Sequence, residues 1–278
     1  MALLFFLSTM TVKHFPHNKL GKDYIVGDLH GHIDALFDVL AKVRFNPDTD
    51  RVFSTGDLID RGPHNLECLD LLEQPWFHSV KGNHEQFMEW SEHDLVRASW
   101  IANGGVWAIT HLHADHFAGY KDMVTHLPTA IVVGTGKHRF NIIHAQPPDN
   151  EGIITDKVFD ATPIPGLEEY TLWGRELFHY PDQFKFDKGL STTYVGHSPT
   201  TLLVRAGPIY YLDRNTHRSY MDPDCCIALA CHTDRVIYEY YPPTGVLVTT
   251  KHHDVSDMAH PDFEEDYVAF QRKASPPA

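Results

Sequence analysis

The chain's regular pattern starts with an apolar run at 23–28, which stops at Gly27-Asp28 and is followed by Leu29-His30-Gly31-His32. From His32 to Arg44, the apolar residues Ile33, Leu36, Phe37, Leu40 and Val43 recur at helical spacing, predicting a helix with one buried face. Pro47, in the turn "NPDTD", ends that pattern. A second strand is expected over 51–55, ending at Gly56-Asp57, and Pro63 is placed to open a helix lined by Leu66, Leu69 and Leu72. A third strand over 76–80 runs into Lys81-Gly82-Asn83-His84, with a helix from about Glu85. The first third therefore reads β-α-β-α-β, and parallel strands of this kind gather polar residues at their carboxyl ends. Residues 85–127 read as a small helical cap broken at Gly104-Gly105, with Trp90, Trp100 and Trp107 as packing residues. After Pro128, "TAIVVGT", "RFNIIHA", "TTYVGHS", "PIYYLD", "CIALACH" and "RVIYEYY" are β-branched and aromatic runs between turns. They are expected to form a second sheet packed on the first, making an α/β fold.

The chain has 278 residues with 42% hydrophobic and 22% charged, which suits a globular protein with a substantial core. Without repeats or an obvious linker, we expect a single domain over 1–278, with its core at about 20–250 and the cap at about 86–127 inserted in it. A formal charge of −14, unrelieved by any basic run, argues against nucleic acid as partner. Acting on anions would require a local positive centre, which metal ions can supply. Cys68, Cys225, Cys226 and Cys231 form no C-x-x-C pair and read as buried, reduced thiols, which implies a cytoplasmic protein. The apolar "MALLFFLSTM" is too short to span a bilayer and lacks a basic flank. It reads as a terminal strand or upstream extension, with Met10 as an alternative start. No membrane partner is expected, and the polar tail from Ser256 is expected to be loose.

Six candidate ligands stand at the ends of apolar runs: Asp28, His30, Asp57, Asn83, His144 and His197. Each alone would pass as a turn, cap or surface residue. Six in this order, beside tight glycine turns, are hard to assign to turns. An oxygen and nitrogen set without thiolate suits Mn, Fe or Zn. Two such ions bridged by a shared carboxylate can clamp a phosphate and hold a hydroxide for in-line attack. His84, Asp60, Arg61 and Arg175 lie in the same neighbourhoods.

"GDLHG" at 27–31, "GDLIDRG" at 56–62 and "KGNHE" at 81–85 resemble the three signature blocks of the phosphoprotein phosphatase family, within the calcineurin-like metallophosphoesterases. "NGG" at 103–105, "IIHA" at 142–145, "WGRE" at 173–176 and "VGHS" at 195–198 extend the likeness, which runs from about 23 to about 213 and is nearest the compact bacterial and bacteriophage type. The resemblance implies two mixed sheets packed as a β-sandwich and flanked by helices. It implies two divalent ions, Mn by preference with Fe or Zn as alternatives. Asp28 and His30 would bind the first ion, Asp57 would bridge both, and Asn83, His144 and His197 would bind the second. His84 would act as general acid, held by Asp60, and Arg61 and Arg175 would grip the phosphate. The implied reaction is hydrolysis of phosphoserine and phosphothreonine in proteins or peptides by direct attack of a hydroxide held between the ions. Phosphotyrosine, phosphohistidine and small aryl phosphates are further expected substrates of an open site. The chain departs from the pattern at Gln146, where glycine is usual, and at "YLDRNTH" (211–217), which lacks the usual glycine.

Two alternatives stand beside this reading. A diadenosine-tetraphosphate hydrolase of the same superfamily tends to carry "GNHD" where this chain has "KGNHE". A non-catalytic metal-binding scaffold would have lost His84, Asp60 or an arginine, and all are present.

Overall fold

The structure, a computed structural model, describes residues 10–111, 114–160 and 168–258. The expectations for residues 1–9 and for the tail beyond 258 lie outside the described residues. Six strands form one sheet in the order β14 (Val246–Lys251), β13 (Val236–Tyr241), β12 (Ile227–Cys231), β2 (Asp23–Val26), β3 (Arg51–Ser54) and β4 (Phe77–Ser79). Seven form the other: β1 (Val12–Phe15), β5 (Ala130–Val133), β6 (Phe140–Ile143), β9 (Thr192–Val195), β11 (Ile209–Tyr211), β10 (Val204–Ala206) and β15 (Ser256–Asp257). A short ladder pairs β7 (Ile153–Ile154) with β8 (Lys185–Phe186).

Strand alternation builds the layers. On β2, Ile25 points into the space between the sheets with Phe53, Ile131, Phe140 and Ile142, whereas Tyr24 and Val26 face the helices. β12 repeats this with Ala228 and Ala230 inward and Ile227 and Leu229 outward. Strands buried on both faces read as continuous apolar runs, which is how they appeared in the sequence. On the first sheet's outer face lie α1 (Ile33–Lys42), α2 (Asn65–Asp70), α3 (Asn83–Glu89) and α4 (Asp94–Trp100), followed by α5 (Val106–His111) and α6 (Ala114–Thr125). The second sheet's outer face is covered by α7 (Lys157–Asp160) and α9 (Glu176–His179), with α8 (Glu168–Trp173) between them in sequence.

Several expectations change. β12 and β13 do not join the second sheet: β12 lies antiparallel to β2 in the first. Alternation shows which faces of a strand are buried but not which neighbour it pairs with, so the local pattern carried no record of this return. Phe37 is 47% exposed, because it lies at the rim of the apolar stripe, and Ala35 and Val39 complete the buried face instead. The second helix starts at Asn65, two residues beyond Pro63, and its buried side is Asn65, Cys68 and Leu69, with Leu66 and Leu72 only half-buried. The 86–127 segment is helical with its break at Gly104 (φ 115°), as expected, and its Met88, Val96 and Trp100 lie in one apolar cluster with Tyr24 and Val26. Among the described residues no helix is long and apolar enough to cross a membrane.

β2, β3 and β4 run parallel, and so do β6 and β9 in the other sheet. Residues following these five strands therefore emerge at one edge, where the two sheets meet.

At the opposite pole, His232 stacks on Phe140 with 4.2 Å between centroids, and its Nδ1 lies 3.0 Å from Tyr194 Oη. Burial, with Arg235 and His252 close by, pushes His232 down to about 3. An unfolded histidine takes up its proton near pH 6.5. The unfolded chain thus binds more protons below that pH, so the His232 contribution is complete above about pH 6.5 and is lost as pH falls toward 3. Urea unfolding at pH 5 is expected to show a loss of about 2 kcal/mol from this residue relative to pH 7. A His232→Gln variant should show a correspondingly shallower pH dependence, and an unchanged slope would contradict the assignment.

Candidate metal centre and active site

Every candidate residue of the sequence reading reaches one cavity or its wall. A pocket of about 140 Å³ is lined by Asp28, His30, Asp57, Asn83, His84 and His197, with Arg61 and Arg175 at its sides. His144 lies just beneath, fully buried. Nine described non-glycine residues have positive φ, and five of them are His30, Asp57, Asp60, Arg61 and His197. Such conformations cost on the order of 1–3 kcal/mol each and persist where surroundings over-determine them. Here left-handed turns bring the His30, Asp57, Arg61 and His197 side chains to the pocket and place Asp60 behind it, against the indoles of Trp100 and Trp107.

The donor atoms fall into two groups around a shared carboxylate. His30, Asp57 and His84 form one; Asp57, His144 and His197 form the other. His144 Nε2 lies 3.4 Å from Asp57 Oδ1, and His30 Nε2 lies 3.7 Å from Asp57 Oδ2. Asn83 Oδ1 is 2.9 Å from both His144 Nε2 and His197 Nδ1. Two donors about 2.1 Å from one ion, at right angles, stand about 3 Å apart, so this spacing fits a shared ion. Asp28 accepts from the Thr55 hydroxyl at 3.1 Å and the His197 amide at 3.0 Å, which fixes its carboxylate on the pocket wall.

Tautomers are set from behind. His30 Nδ1 donates to the Ile59 carbonyl at 2.9 Å, and His144 Nδ1 to the Thr55 carbonyl at 2.7 Å. Each therefore turns an Nε2 lone pair toward Asp57, as metal-ligating histidines do. Burial pushes His30 well down and holds His144 below its usual value; burial with the neighbouring His144 takes His197 to about 2. Each of these shifts favours the unprotonated ring that a metal ion needs. Burial works against Asp57's charge, but the His144, His84 and His30 imidazoles outweigh it and keep its carboxyl far below the usual range. Burial, together with Asp213 and Asp57, drives Asp28 well up, and burial raises Asp213 to about 6. Imidazoles that shed their protons readily, crowded against carboxylates that repel one another, make a site matched to divalent cations.

The acid machinery is built beside it. His84 Nδ1 donates to Asp60 Oδ2 at 2.5 Å. Asp60 is fully buried and also accepts Trp100 Nε1 at 2.8 Å and Trp107 Nε1 at 2.6 Å, while its amide donates to Asn65 Oδ1 at 2.6 Å. For His84, burial works against charging, but Asp57 and Asp60 prevail and its pKa is raised. Arg61 Nη1 donates to His30 Nε2 at 2.6 Å, and its Nη2 lies 3.0 Å from His84 Nε2. Arg175 Nε donates to His197 Nε2 at 3.1 Å, across the cavity.

Sequence reasoning missed several supporting residues. Glu85 accepts the amides of Asp57 and Gly82 at 2.8 Å and of Leu58 at 2.9 Å, which staples the Asp57 turn to the start of α3. Its place in the "KGNHE" block was the available signal. Trp100 and Trp107 were expected only to pack, yet both bind Asp60. Asp213, within the departing "YLDRNTH" segment, lines the pocket. Gln146 is buried and does not line it.

Paired carboxylate-bridged donor groups on a two-sheet α/β frame define a metallophosphoesterase centre. The profile of the calcineurin-like phosphoesterase family matches residues 24–238, and the chain belongs to that family of phosphate-ester hydrolases. It is similar to serine/threonine-protein phosphatase 2 of Salmonella typhimurium, 40% identical over 129 residues, covering 46% of this chain and 59% of that one, less than two thirds of the relative's length. Serine/threonine-protein phosphatase 1 of the same organism is 32% identical over 193 residues, covering 68% of this chain and 84% of the relative. A symmetrical bis(5'-nucleosyl)-tetraphosphatase of Actinobacillus pleuropneumoniae is 45% identical over 64 residues, covering 22% of this chain and 24% of the relative. Among solved structures, a protein serine/threonine phosphatase from Saccharomyces cerevisiae superposes with a TM-score of 0.54 at 16% identity, covering 90% of this chain and 88% of that chain, which is a likeness of fold.

Gly196 leaves room for Asp28: a Cβ there would fall 1.9 Å from Asp28 Oδ1 and 2.6 Å from Thr55 Oγ1. Gly196→Ala is therefore expected to displace that carboxylate and lower the divalent ions bound per chain, read by metal analysis after reconstitution. Unchanged stoichiometry and affinity would remove Asp28 from the centre.

Proposed function

We propose that this chain is a metal-dependent protein serine/threonine phosphatase that hydrolyses phosphomonoesters within a single metallophosphoesterase domain. The observation that carries the reading is the Asp60–His84 pair opening onto the same cavity as the paired donor groups and two arginines. Two divalent ions bound by Asp28, His30, Asp57, Asn83, His144 and His197 would supply a hydroxide at neutral pH and bear phosphate charge. Manganese is the expected metal by family resemblance.

The chain's own groups do the rest. Asp60, which also accepts two indole N–H groups, fixes His84 with Nδ1 inward. His84 Nε2 then faces the cavity, and its raised pKa keeps a proton there to give to the departing serine or threonine oxygen. An alkoxide is a poor leaving group, so this step is worth roughly 10²–10⁴-fold. Arg61 and Arg175 approach from opposite sides, and their planar forks match phosphate oxygens. Hydrolysis by direct attack calls for no phosphoenzyme, and the four cysteines are buried away from such a role. Reduced, buried thiols also support a cytoplasmic setting.

A bis-nucleosyl tetraphosphatase activity is the second reading, favoured by the 45% identity over 64 residues with such an enzyme. The longer alignments to protein phosphatases and the Asp60–His84 pair favour phosphoproteins. Manganese-reconstituted protein is expected to release phosphate from phosphoserine peptides in preference to splitting diadenosine tetraphosphate; the opposite order would install the second reading.

His84→Asn is expected to cut turnover of phosphoserine peptides by about 10²–10⁴-fold at nearly unchanged metal content, and to matter less for aryl phosphates, whose leaving group is weaker in basicity. Asp57→Asn should instead reduce metal occupancy. A His84→Asn enzyme at wild-type speed on phosphoserine peptides would overturn the acid assignment.

A further inference from the structure

After His144-Ala145, where the family it resembles usually carries glycine, this chain has Gln146. It is 1% exposed, and its Oε1 accepts the Leu177 amide at 2.8 Å. The donor fixes which amide atom points there. Leu177 is in the first turn of α9, whose leading amides have no partner within the helix. On the other side of the same turn, Trp173 Nε1 donates to Oε1 of Gln86, which is 2% exposed. Between these two anchored residues stand Gly174, Arg175 and Glu176. Gly174 fits because a Cβ there would meet the Tyr170 carbonyl at 2.7 Å and Gln146 Cβ at 2.9 Å.

Both glutamines come from the segments that carry the site. Gln146 follows His144 by two residues, and Gln86 follows His84 by two. The Arg175 turn is thus tied by one side-chain amide to each sheet's contribution. Arg175 itself is exposed, with a long flexible stem, and its guanidinium rests on His197, Nε on Nε2 and Nη2 on the carbonyl, both at 3.1 Å. Where the stem springs from decides where the fork can reach.

We infer that Gln146, with Gln86, is a positioning residue that holds the 173–177 turn so that Arg175 faces the phosphate. This rests on the phosphate-binding role of Arg175 proposed above. The anchors are neutral amides, so they set the arginine's aim without entering the pH profile.

The test is a double-mutant cycle on manganese-loaded full-length protein. Gln146→Leu removes the acceptor at similar volume, Gln146→Glu keeps an acceptor oxygen, and Arg175→Ala removes the fork. Readouts are kcat/KM on p-nitrophenyl phosphate, Ki for inorganic phosphate, the pH profile and metal content. Gln146→Leu is expected to lower kcat/KM roughly 10-fold and to weaken phosphate inhibition similarly, with pH profile and metal content unchanged. Gln146→Glu should recover most of the loss. In the Arg175→Ala background the leucine substitution should add nothing. Should Gln146→Leu not fold, Gln86→Met removes the acceptor of Trp173 and is expected to show the same lack of additivity with Arg175→Ala. Multiplying losses in the double variant, or a loss that follows metal content, would overturn the inference. Arg175→Ala impaired beside an unimpaired Gln146→Leu would sink it alone; an unimpaired Arg175→Ala would remove the phosphate-binding role with it.

Discussion

A carboxylate that faces two groups of imidazoles at once cannot be presented by an ordinary strand end. Asp57 follows β3, and in extended backbone its side chain would fall on one face of the sheet. The left-handed turn at Asp57 redirects it into the seam between the sheets, and Glu85 holds that turn by accepting two of its amides. The three imidazoles that hold the Asp57 charge then come from three other segments: the ends of β2 and β6 and the start of α3. The rest of the site depends on this one placement, because the donors on both sides are oriented toward Asp57 and the acid pair is built on the residues that follow it.

The positions of the donors were legible because the chemistry sits where apolar runs stop. Asp28, Asp57 and Asn83 end the β-α repeats of a parallel sheet, and the carboxyl edge of such a sheet is where loops meet. His144 and His197 were legible by the same sign. The partner of β12 was not, since Ala228 and Ala230 alternate equally well in either sheet. Backbone handedness was equally hidden: nothing in the residue types His30, Asp60 or Arg61 announces positive φ. Trp100 and Trp107 misled because an indole that packs and an indole that donates look alike in sequence. Gln86 and Gln146 act on neighbours in distant segments, and spacing along the chain carries no trace of such contacts.

The frame explains how a chain with a formal charge of −14 can handle phosphate. Its acidic groups near the cavity are not spread over the rim; Asp28, Asp57 and Asp213 are buried and crowded. Crowding makes them poor at holding separate charges and good at sharing cations. Among the described residues, the arginines lining the cavity are Arg61 and Arg175, and they reach it from different layers, one beside α2 and one at the start of α9. The helices on the first sheet's outer face contribute the two indoles, so the second wall of the acid pair is part of the same apolar cluster that supports the sheet.

The five left-handed residues of the site also shape how such a protein can age in evolution. Glycine at His30, Asp57 or His197 would relax the backbone and, at Asp57, delete a buried charge, so the replacements that abolish chemistry are ones the fold welcomes. A lineage released from selection for turnover would then drift toward sturdier, inert descendants rather than toward unfolded ones, keeping the sandwich as a durable relic of the enzyme.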